Sequence, residues 1–232
     1  MQVLAGTSGY AYKEWKGNFY PEDLANDDML HFYGEQFRTV EINNTFYRMP
    51  TEKVLVQWGE RVPDGFRFVL KASRRITHML RLKNADDPLS YVVNNAAVLG
   101  AKLGAMLFQL PPNMKRDMER LAEFLELLPK GWPAAFEFRH ESWFDEDVYE
   151  ALRSRGAALC VADTDDGETP LVATGKTGYV RLRREAYDDD ALREWATRIT
   201  SQPWEQAFVF FKHEDAGAGP ALARRFEELL PG

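Results

Sequence analysis

The sequence has almost no cysteine and little histidine. Cys160 is the single cysteine, which excludes an internal disulfide and any metal site built on several thiolates. Because Cys160 lies inside an apolar run, we interpret it as a small buried hydrophobic residue. The only histidines are His31, His78, His140 and His213, so a metal centre that needs several imidazoles is a weak hypothesis.

Long apolar runs and targeting signals are also missing. No apolar run approaches the length of a membrane span, and the chain starts with the strand-like Met1-Gln2-Val3-Leu4-Ala5 instead of a basic leader. We therefore expect no membrane partner and a cytoplasmic location. The net charge of -7 gives no global attraction to nucleic acid, although a local basic cleft is compatible with it. Nucleotide-binding glycine motifs and a Gly-x-Ser-x-Gly elbow are absent.

Short strand-like runs alternate with helix-like segments along the 232 residues. Hydrophobic residues make up 45% of the chain, enough for a sizeable core, and the length suits one domain over 1–232. Eight alternating units of this kind predict an α/β protein with a single (β/α)8 TIM-type barrel. The predicted strands are Val3–Gly6, Thr39–Ile42, Phe66–Lys71, Ala105–Gln109, Ala134–Phe138, Ala158–Asp163, Tyr179–Leu182 and Ala207–Phe211.

One connection departs from this pattern. The segment Thr164–Gly178 is polar and glycine-rich and has no helical period, so we predict a long crossover loop there. The helices predicted elsewhere are Asp27–Phe37, Glu52–Arg61, Tyr91–Leu99, Asp117–Leu128, Asp145–Arg155, Asp188–Ile199 and Pro220–Leu230.

Polar side chains interrupt the apolar strands mainly at their carboxyl ends. A strand that is buried on both faces normally reads as an unbroken apolar run, and a polar residue there is costly unless it lines a shared cavity. In a β/α barrel the carboxyl ends of the strands meet at one rim, which carries the active site. We therefore expect these polar residues to line one pocket: Glu41, Lys71, Gln109, Glu137, Arg139, Asp163, Arg181 and Lys212.

Several local strings recur in order along the chain, most of them at the ends of predicted strands. They are Gly6-Thr7-Ser8-Gly9-Tyr10, Phe19-Tyr20-Pro21, Val40-Glu41-Ile42-Asn43-Asn44-Thr45-Phe46-Tyr47, Arg75-Ile76-Thr77-His78, Phe108-Gln109-Leu110-Pro111-Pro112 and Phe136-Glu137-Phe138-Arg139-His140. Together they resemble the YecE-like family, a domain of unknown function (number seventy-two), and the resemblance covers Val3 to Leu230. It implies a TIM-type barrel of xylose-isomerase-like architecture, and it implies no particular activity.

Four rim residues are candidate catalytic groups, namely Glu41, Lys71, Glu137 and Asp163. We expect the apolar neighbours of Glu41 to raise its pKa, whereas Glu137 beside Arg139 should stay ionised. Lys71 is interpreted as an electrostatic clamp, with a structural ion pair and a Schiff-base lysine as alternatives. No metal ligand is assigned, although a carboxylate-only Mg or Mn site on the three acids remains an alternative.

Ten further residues are candidate substrate-binding groups. Arginine forks suit carboxylate or phosphate oxygens, aromatic rings stack on a flat ring, and amides orient it by hydrogen bonds. For Trp15 and Trp143, packing of loops against the barrel is an equal alternative. The ten are Tyr10, Trp15, Asn43, Tyr47, Arg75, His78, Gln109, Arg139, Trp143 and Arg181.

These residues favour an enzyme, of hydrolase or lyase/isomerase type, that acts on a small anionic or phosphorylated compound resembling a sugar or nucleoside. One alternative is a barrel that binds a ligand without catalysis. Another is a nucleic-acid-binding protein or phosphodiesterase whose groove uses a set of basic residues. That set is Arg74, Arg75, Lys83, Arg181, Arg183 and Arg184.

Overall fold

Nine strands form one sheet in the computed structural model, which describes residues 1–212 and 217–231. Each predicted strand is present, with bounds that differ by at most two residues at either end. His213, which follows the last strand, lies outside the described residues. The strands are β1 Gln2–Thr7, β2 Thr39–Ile42, β3 Arg67–Lys71, β4 Leu103–Gln109, β5 Ala134–Glu137, β6 Ala158–Thr164, β7 Gly167–Glu168, β8 Thr177–Leu182 and β9 Gln206–Phe211.

The sheet curls into a barrel of eight parallel strands. Its order is β1-β9-β8-β6-β5-β4-β3-β2, with β7 paired antiparallel to β6. The two ends of this order meet where Ser8 forms a parallel bridge with Glu41, and the Gly9 amide donates to the Glu41 carbonyl at 2.8 Å. The predicted TIM-type barrel is therefore confirmed, with β1 and β2 joined at their carboxyl ends.

Seven α-helices cover the outside of the barrel in the described residues. They are α1 Met29–Gln36, α2 Glu52–Glu60, α3 Asp86–Ala97, α4 Met118–Leu127, α5 Glu146–Arg155, α6 Asp189–Thr200 and α7 Ala218–Glu228. Helix α3 begins five residues before its predicted start. The segment between β6 and β8 contains no helix; it folds back as the short strand β7, so the predicted irregular crossover is confirmed. No helix in the described ranges is long and apolar enough to cross a membrane.

Local sequence explains where several helices begin and end. The side chains of Asp117, Asp145 and Asp188 accept hydrogen bonds from backbone amides at the starts of α4, α5 and α6. Gly156 ends α5 at a φ of 64°, a left-handed conformation that glycine adopts without a steric penalty.

Strand parity divides the core into two layers. One set of residues fills the barrel interior, including Leu4, Val69, Leu107 and Phe208. The alternate residues pack outward against the helices in a second, larger cluster. Towards the carboxyl ends of the strands the inward positions become polar, and the candidate site begins there.

Candidate active site at the carboxyl end of the barrel

A buried arginine joins two carboxylates across the barrel interior. Arg181 Nη1 donates to Glu137 Oε2 at 2.6 Å, and its Nη2 donates to Glu41 Oε1 at 2.8 Å. The exposed fractions of these side chains are 2% for Arg181, 0% for Glu41 and 1% for Glu137. Charge-assisted hydrogen bonds between buried groups are strong and fix their geometry. We call these three residues the buried triad.

Glu41 accepts more hydrogen bonds than Arg181 alone supplies. Tyr179 Oη donates to Oε2 at 2.6 Å, while Ser8 Oγ and Asn43 Nδ2 donate to Oε1 at 2.7 and 3.0 Å. Burial alone would raise the pKa of Glu41, but the charge of Arg181 and the hydrogen bonds from Tyr179, Ser8 and Arg181 outweigh it, so the pKa is lowered. The expected raised pKa of Glu41 was therefore wrong. Its chain neighbours Val40 and Ile42 point away from the barrel interior, so the donors decide the shift.

Glu137 is held in the same ionised state by a different set of donors. Gln109 Nε2 donates to Oε1 at 2.8 Å and Arg139 Nε donates to the same oxygen at 3.0 Å. Burial opposes ionisation, but the charges of Arg181 and Arg139 and the Gln109 bond prevail and lower the pKa of Glu137 to about 2. Neither carboxylate of the buried triad is suited to exchange protons near neutral pH.

Lys71 at the end of β3 differs from its neighbours because no carboxylate pairs with it among the described residues. Its Nζ lies 4.5 Å from the centroid of the Phe46 ring, a cation–π contact. Burial and the nearby charge of Arg181 lower the pKa of Lys71 to about 8. Lys71 is therefore cationic at pH 7 and is the rim group that loses its proton at mildly alkaline pH.

A cleft of about 410 Å³ opens beside the buried triad, and we call it the mouth cleft. Two guanidinium groups face it, those of Arg139 and Arg183. The Arg183 side chain has no ion-pair partner among the described residues, and burial together with the charge of Arg181 lowers its pKa. The residues that line the cleft are Glu137, Phe138, Arg139, Ala162, Thr164, Asp166, Gly167, Thr169 and Arg183.

The β6–β7 turn forms one wall of the mouth cleft. Asp166 and Gly167 lie in this turn, where β7 folds back on β6. The wall is fastened by Thr169, whose hydroxyl accepts a hydrogen bond from the Ala162 amide at 2.8 Å. The segment without helical period thus contributes directly to the cleft.

A single turn of π-helix, Arg75–Met79, carries two more of the predicted residues. Such turns are rare and often occur at functional sites. His78 is half-buried, its ring packs edge-on against Phe46 at 4.9 Å, and burial with the charge of Lys71 lowers its pKa. Arg75 is exposed and lines a surface groove with Tyr91 on α3. His78 therefore lies near Lys71, whereas Arg75 points to the outer surface.

Asp163 does not join the other predicted catalytic residues. It is fully buried in the layer between the sheet and α6, where it accepts hydrogen bonds from Arg184 Nε at 2.7 Å, Trp195 Nε1 at 3.0 Å and Tyr187 Oη at 3.0 Å. Parity is the reason, because Ala162 pairs with Arg181 and takes the inward position, so the next residue points outward. The expectation that Asp163 lines the pocket was wrong.

The two predicted tryptophans are packed inside loops. Trp15 is buried among Tyr12, Phe19 and Tyr20. Trp143 stacks on Phe138 with ring centroids 4.7 Å apart, and its Nε1 donates to the Met114 carbonyl at 2.7 Å. Both side chains are 1% exposed or less, so they hold the loops against the barrel and offer no face to a ligand.

The remaining predicted residues lie around the rim. Tyr10 is half-buried beside the loop after β2, and Tyr47 is 71% exposed with Arg74 5.9 Å above its ring. Lys212 follows β9 and is exposed. The carboxylate-only metal site considered from sequence is not assembled, because Asp163 points away and Arg181 occupies the space between the two glutamates. No cluster of three or more potential metal ligands occurs within residues 1–212 and 217–231.

Sequence reasoning missed three participants. Tyr179 holds Glu41, Thr164 lines the mouth cleft, and Arg183 faces the cleft although it was assigned only to a nucleic-acid groove. The signal for two of them was present: residues 179, 181 and 183 alternate along β8 and beyond, which places all three on the Arg181 side of the strand. The proposed basic groove is not assembled as a unit, because Arg181 is buried and Arg184 binds Asp163.

These features define a TIM-type barrel with a charged pocket, lined by two arginines and two carboxylates, at the carboxyl ends of its strands. The chain belongs to the family described as protein of unknown function DUF72, whose model matches residues 4–232. UPF0759 protein YecE of Escherichia coli K12 is 31% identical over 128 residues, which cover 55% of this chain and 47% of YecE. The matched region thus spans about half the length of that relative.

Solved structures agree on the fold. A DUF72 family protein from Thermotoga maritima superposes with a TM-score of 0.80 and 27% identity, over 99% of both chains. A D-psicose 3-epimerase from Clostridium cellulolyticum superposes with a TM-score of 0.58 and 11% identity, over 98% of this chain and 92% of the epimerase. At that identity the second likeness shows a common barrel fold alone.

Proposed function

We propose that the protein is an enzyme that binds a small anionic substrate, of the phosphorylated sugar or nucleoside kind, at the mouth cleft. The observation that carries this proposal is a guanidinium without an ion-pair partner in a cavity. Arg183 lines the mouth cleft and forms no ion pair among the described residues, while Glu137, which lines the cleft together with Asp166, is already paired with Arg181 and Arg139. Lys71 lies close enough for the charges of Glu137 and Arg139 to act on it, and it has no carboxylate partner among the described residues either. A substrate anion would supply the missing countercharge.

The roles in this proposal follow from the protonation states. Arg183 and Arg139 bind the anion, because a planar guanidinium presents two parallel donors to a phosphate or carboxylate. Lys71 serves as the general acid or base. Its pKa of about 8 lies near neutral pH, where general acid–base catalysis is most effective. The buried triad keeps Arg139 and the cleft floor in fixed positions. A hydrolytic or an isomerising step is compatible with this arrangement.

Calorimetric titration with inorganic phosphate and ribose 5-phosphate tests the proposal. We expect saturable binding to the wild type and a loss of about tenfold or more in affinity in Arg183→Gln, because a hydrogen bond to a charged group contributes roughly 1.5–3 kcal/mol. The Arg193→Gln variant is the matched control, since this arginine is exposed on α6 and, among the described residues, pairs only with Asp189 and Asp190. It should bind like the wild type.

Two outcomes would contradict the proposal. Equal affinities for wild type, Arg183→Gln and Arg139→Gln would remove the mouth cleft as the anion site. Binding of a single-stranded oligonucleotide that weakens steeply with salt, together with no binding of either small anion, would favour the nucleic-acid alternative instead.

A further inference from the structure

A second cavity lies at the same end of the barrel, between the loops that follow β1 and β2. Its volume is about 220 Å³, and we call it the side pocket. Ligand pockets commonly measure 300–1,000 Å³, so this space suits one ring of a ligand and not a whole molecule. Three aromatic side chains contribute to its walls, those of Tyr10, Tyr12 and Trp58, and the exposed Arg48 lies at its edge.

The wall of the side pocket formed by Tyr12 requires a glycine at position 9. Gly9 has a φ of 102°, and a Cβ at this position would lie 2.5 Å from the Tyr12 hydroxyl. Any other residue would therefore displace the Tyr12 ring. That hydroxyl donates to the Ser8 carbonyl at 2.7 Å, which fixes the ring above the junction of β1 and β2.

Asn43 connects the side pocket to the buried triad. Its Nδ2 donates to Glu41 Oε1 at 3.0 Å, so its Oδ1 points elsewhere. This Oδ1 atom is buried and has no hydrogen-bond partner among the described residues. A buried acceptor without a donor is unfavourable by about 1–3 kcal/mol. An N–H or O–H group of a ligand in the side pocket would satisfy it.

The side pocket and the mouth cleft are also linked by one continuous set of hydrogen bonds. The set runs from Asn43 to Glu41 at 3.0 Å, from Glu41 to Arg181 at 2.8 Å, and from Arg181 to Glu137 at 2.6 Å. Glu137 lines the mouth cleft, and Asn43 lines the side pocket. Two cavities at the same end of the barrel whose lining residues are connected by these hydrogen bonds are suited to two parts of one substrate.

We infer that the side pocket binds a flat, uncharged ring carrying an N–H or O–H donor, and that this ring belongs to the substrate whose anionic group occupies the mouth cleft. This inference rests on the proposed function. Aromatic walls stack on the face of a sugar or nucleobase, and Asn43 Oδ1 accepts from its edge. The substrate class is therefore a ring-bearing phosphate: a sugar phosphate or a nucleoside monophosphate.

Calorimetric titration with four probes tests this inference: inorganic phosphate, ribose 5-phosphate, adenosine 5′-monophosphate and uridine 5′-monophosphate. We expect at least one ring-bearing probe to bind about tenfold tighter than phosphate, a difference of about 1.4 kcal/mol. A gain already present for ribose 5-phosphate identifies the sugar as the ring, and a gain confined to the nucleotides identifies the base.

Two variants separate the side pocket from the mouth cleft. Ala11→Trp places a large side chain at an exposed position that lines the side pocket, without altering the barrel core. Trp58→Leu removes one aromatic wall, although this ring also stacks on Phe68. We expect both to abolish the tenfold advantage of the ring-bearing probe and to leave phosphate affinity unchanged.

Failure of the side-pocket inference and failure of the proposed function give different results in these titrations. If inorganic phosphate binds but no ring-bearing probe binds tighter, or if Ala11→Trp retains the full advantage, the side pocket is not a subsite and the proposed function stands. If none of the four probes binds the wild type, the proposed function itself is overturned.

Discussion

Replacing Arg181 by methionine should destabilise the protein by about 3–5 kcal/mol at pH 7. The change keeps an unbranched side chain but removes the counter-ion of Glu41 and Glu137, both buried. Breaking a buried ion pair by removing one partner typically costs about 3–5 kcal/mol, because the remaining charge is uncompensated. For a chain of this length the melting temperature should fall by roughly 6–20 °C. Equilibrium unfolding in urea, followed by circular dichroism, measures the free energy of unfolding.

The loss should depend on pH in a defined direction. In the wild type the pKa of Glu137 is lowered from 4.5 to about 2, so its contribution to stability is complete above pH 4.5 and is lost as the pH falls towards 2. In Arg181→Met we expect burial to outweigh the two remaining partners, Arg139 and Gln109, and to raise the pKa of the same carboxyl. The folded variant then binds protons more readily than its unfolded state does. The difference in unfolding free energy between variant and wild type should therefore shrink from pH 7 to pH 5.

The matched control is Arg193→Met, which removes an exposed arginine that pairs with Asp189 and Asp190. Exposed ion pairs contribute less than about 1 kcal/mol, so this variant should unfold almost like the wild type at either pH. A loss of less than 1 kcal/mol in Arg181→Met, independent of pH, would refute the reasoning that the buried triad stabilises the barrel.

Two further predictions concern single residues. Phosphate affinity should decrease as the pH rises through about 8, because Lys71, whose charge acts on Glu137 and Arg139 at the mouth cleft, then loses its proton. Titration calorimetry from pH 6.5 to 9.5 checks this, and an unchanged pH profile in Lys71→Met would contradict it. Asp163→Ala should lower the unfolding free energy by about 2–4 kcal/mol, because Trp195 Nε1 and Tyr187 Oη lose their acceptor, while phosphate affinity stays at the wild-type value. A large drop in phosphate affinity in the folded Asp163→Ala protein would show that Asp163 does contribute to ligand binding.

The fold was predictable because its signals are local. Apolar runs of four to six residues separated by helical periods specify a parallel barrel, and the polar ends of the runs locate the rim. The alternation Glu41-x-Asn43 and Glu137-x-Arg139 also gives the correct inward face for β2 and β5.

The site was only partly predictable, because the direction of a side chain and the identity of its hydrogen-bond partners depend on residues that are distant in the sequence. The run Ala158–Asp163 is apolar on both faces, so the sequence does not reveal that Asp163 points outward; its register with β8 does. The sign of the Glu41 pKa shift depends on Ser8, Tyr179 and Arg181, which come from distant strands. The packing of Trp15 and Trp143 depends on how the loops fold back, for which the chain carries no periodic signal.

The wide separation along the chain between the partners in the buried triad has a consequence for biosynthesis. Arg181 follows Glu41 by 140 residues. At translation rates of about 5–20 residues per second, roughly 7–28 s pass between the synthesis of Glu41 and that of its counter-ion Arg181. During that interval a nascent barrel of the first five strands would have to bury Glu41 without a counter-ion, which is unfavourable by several kcal/mol. The ion pair that stabilises the finished barrel therefore disfavours its closure until β8 has left the ribosome.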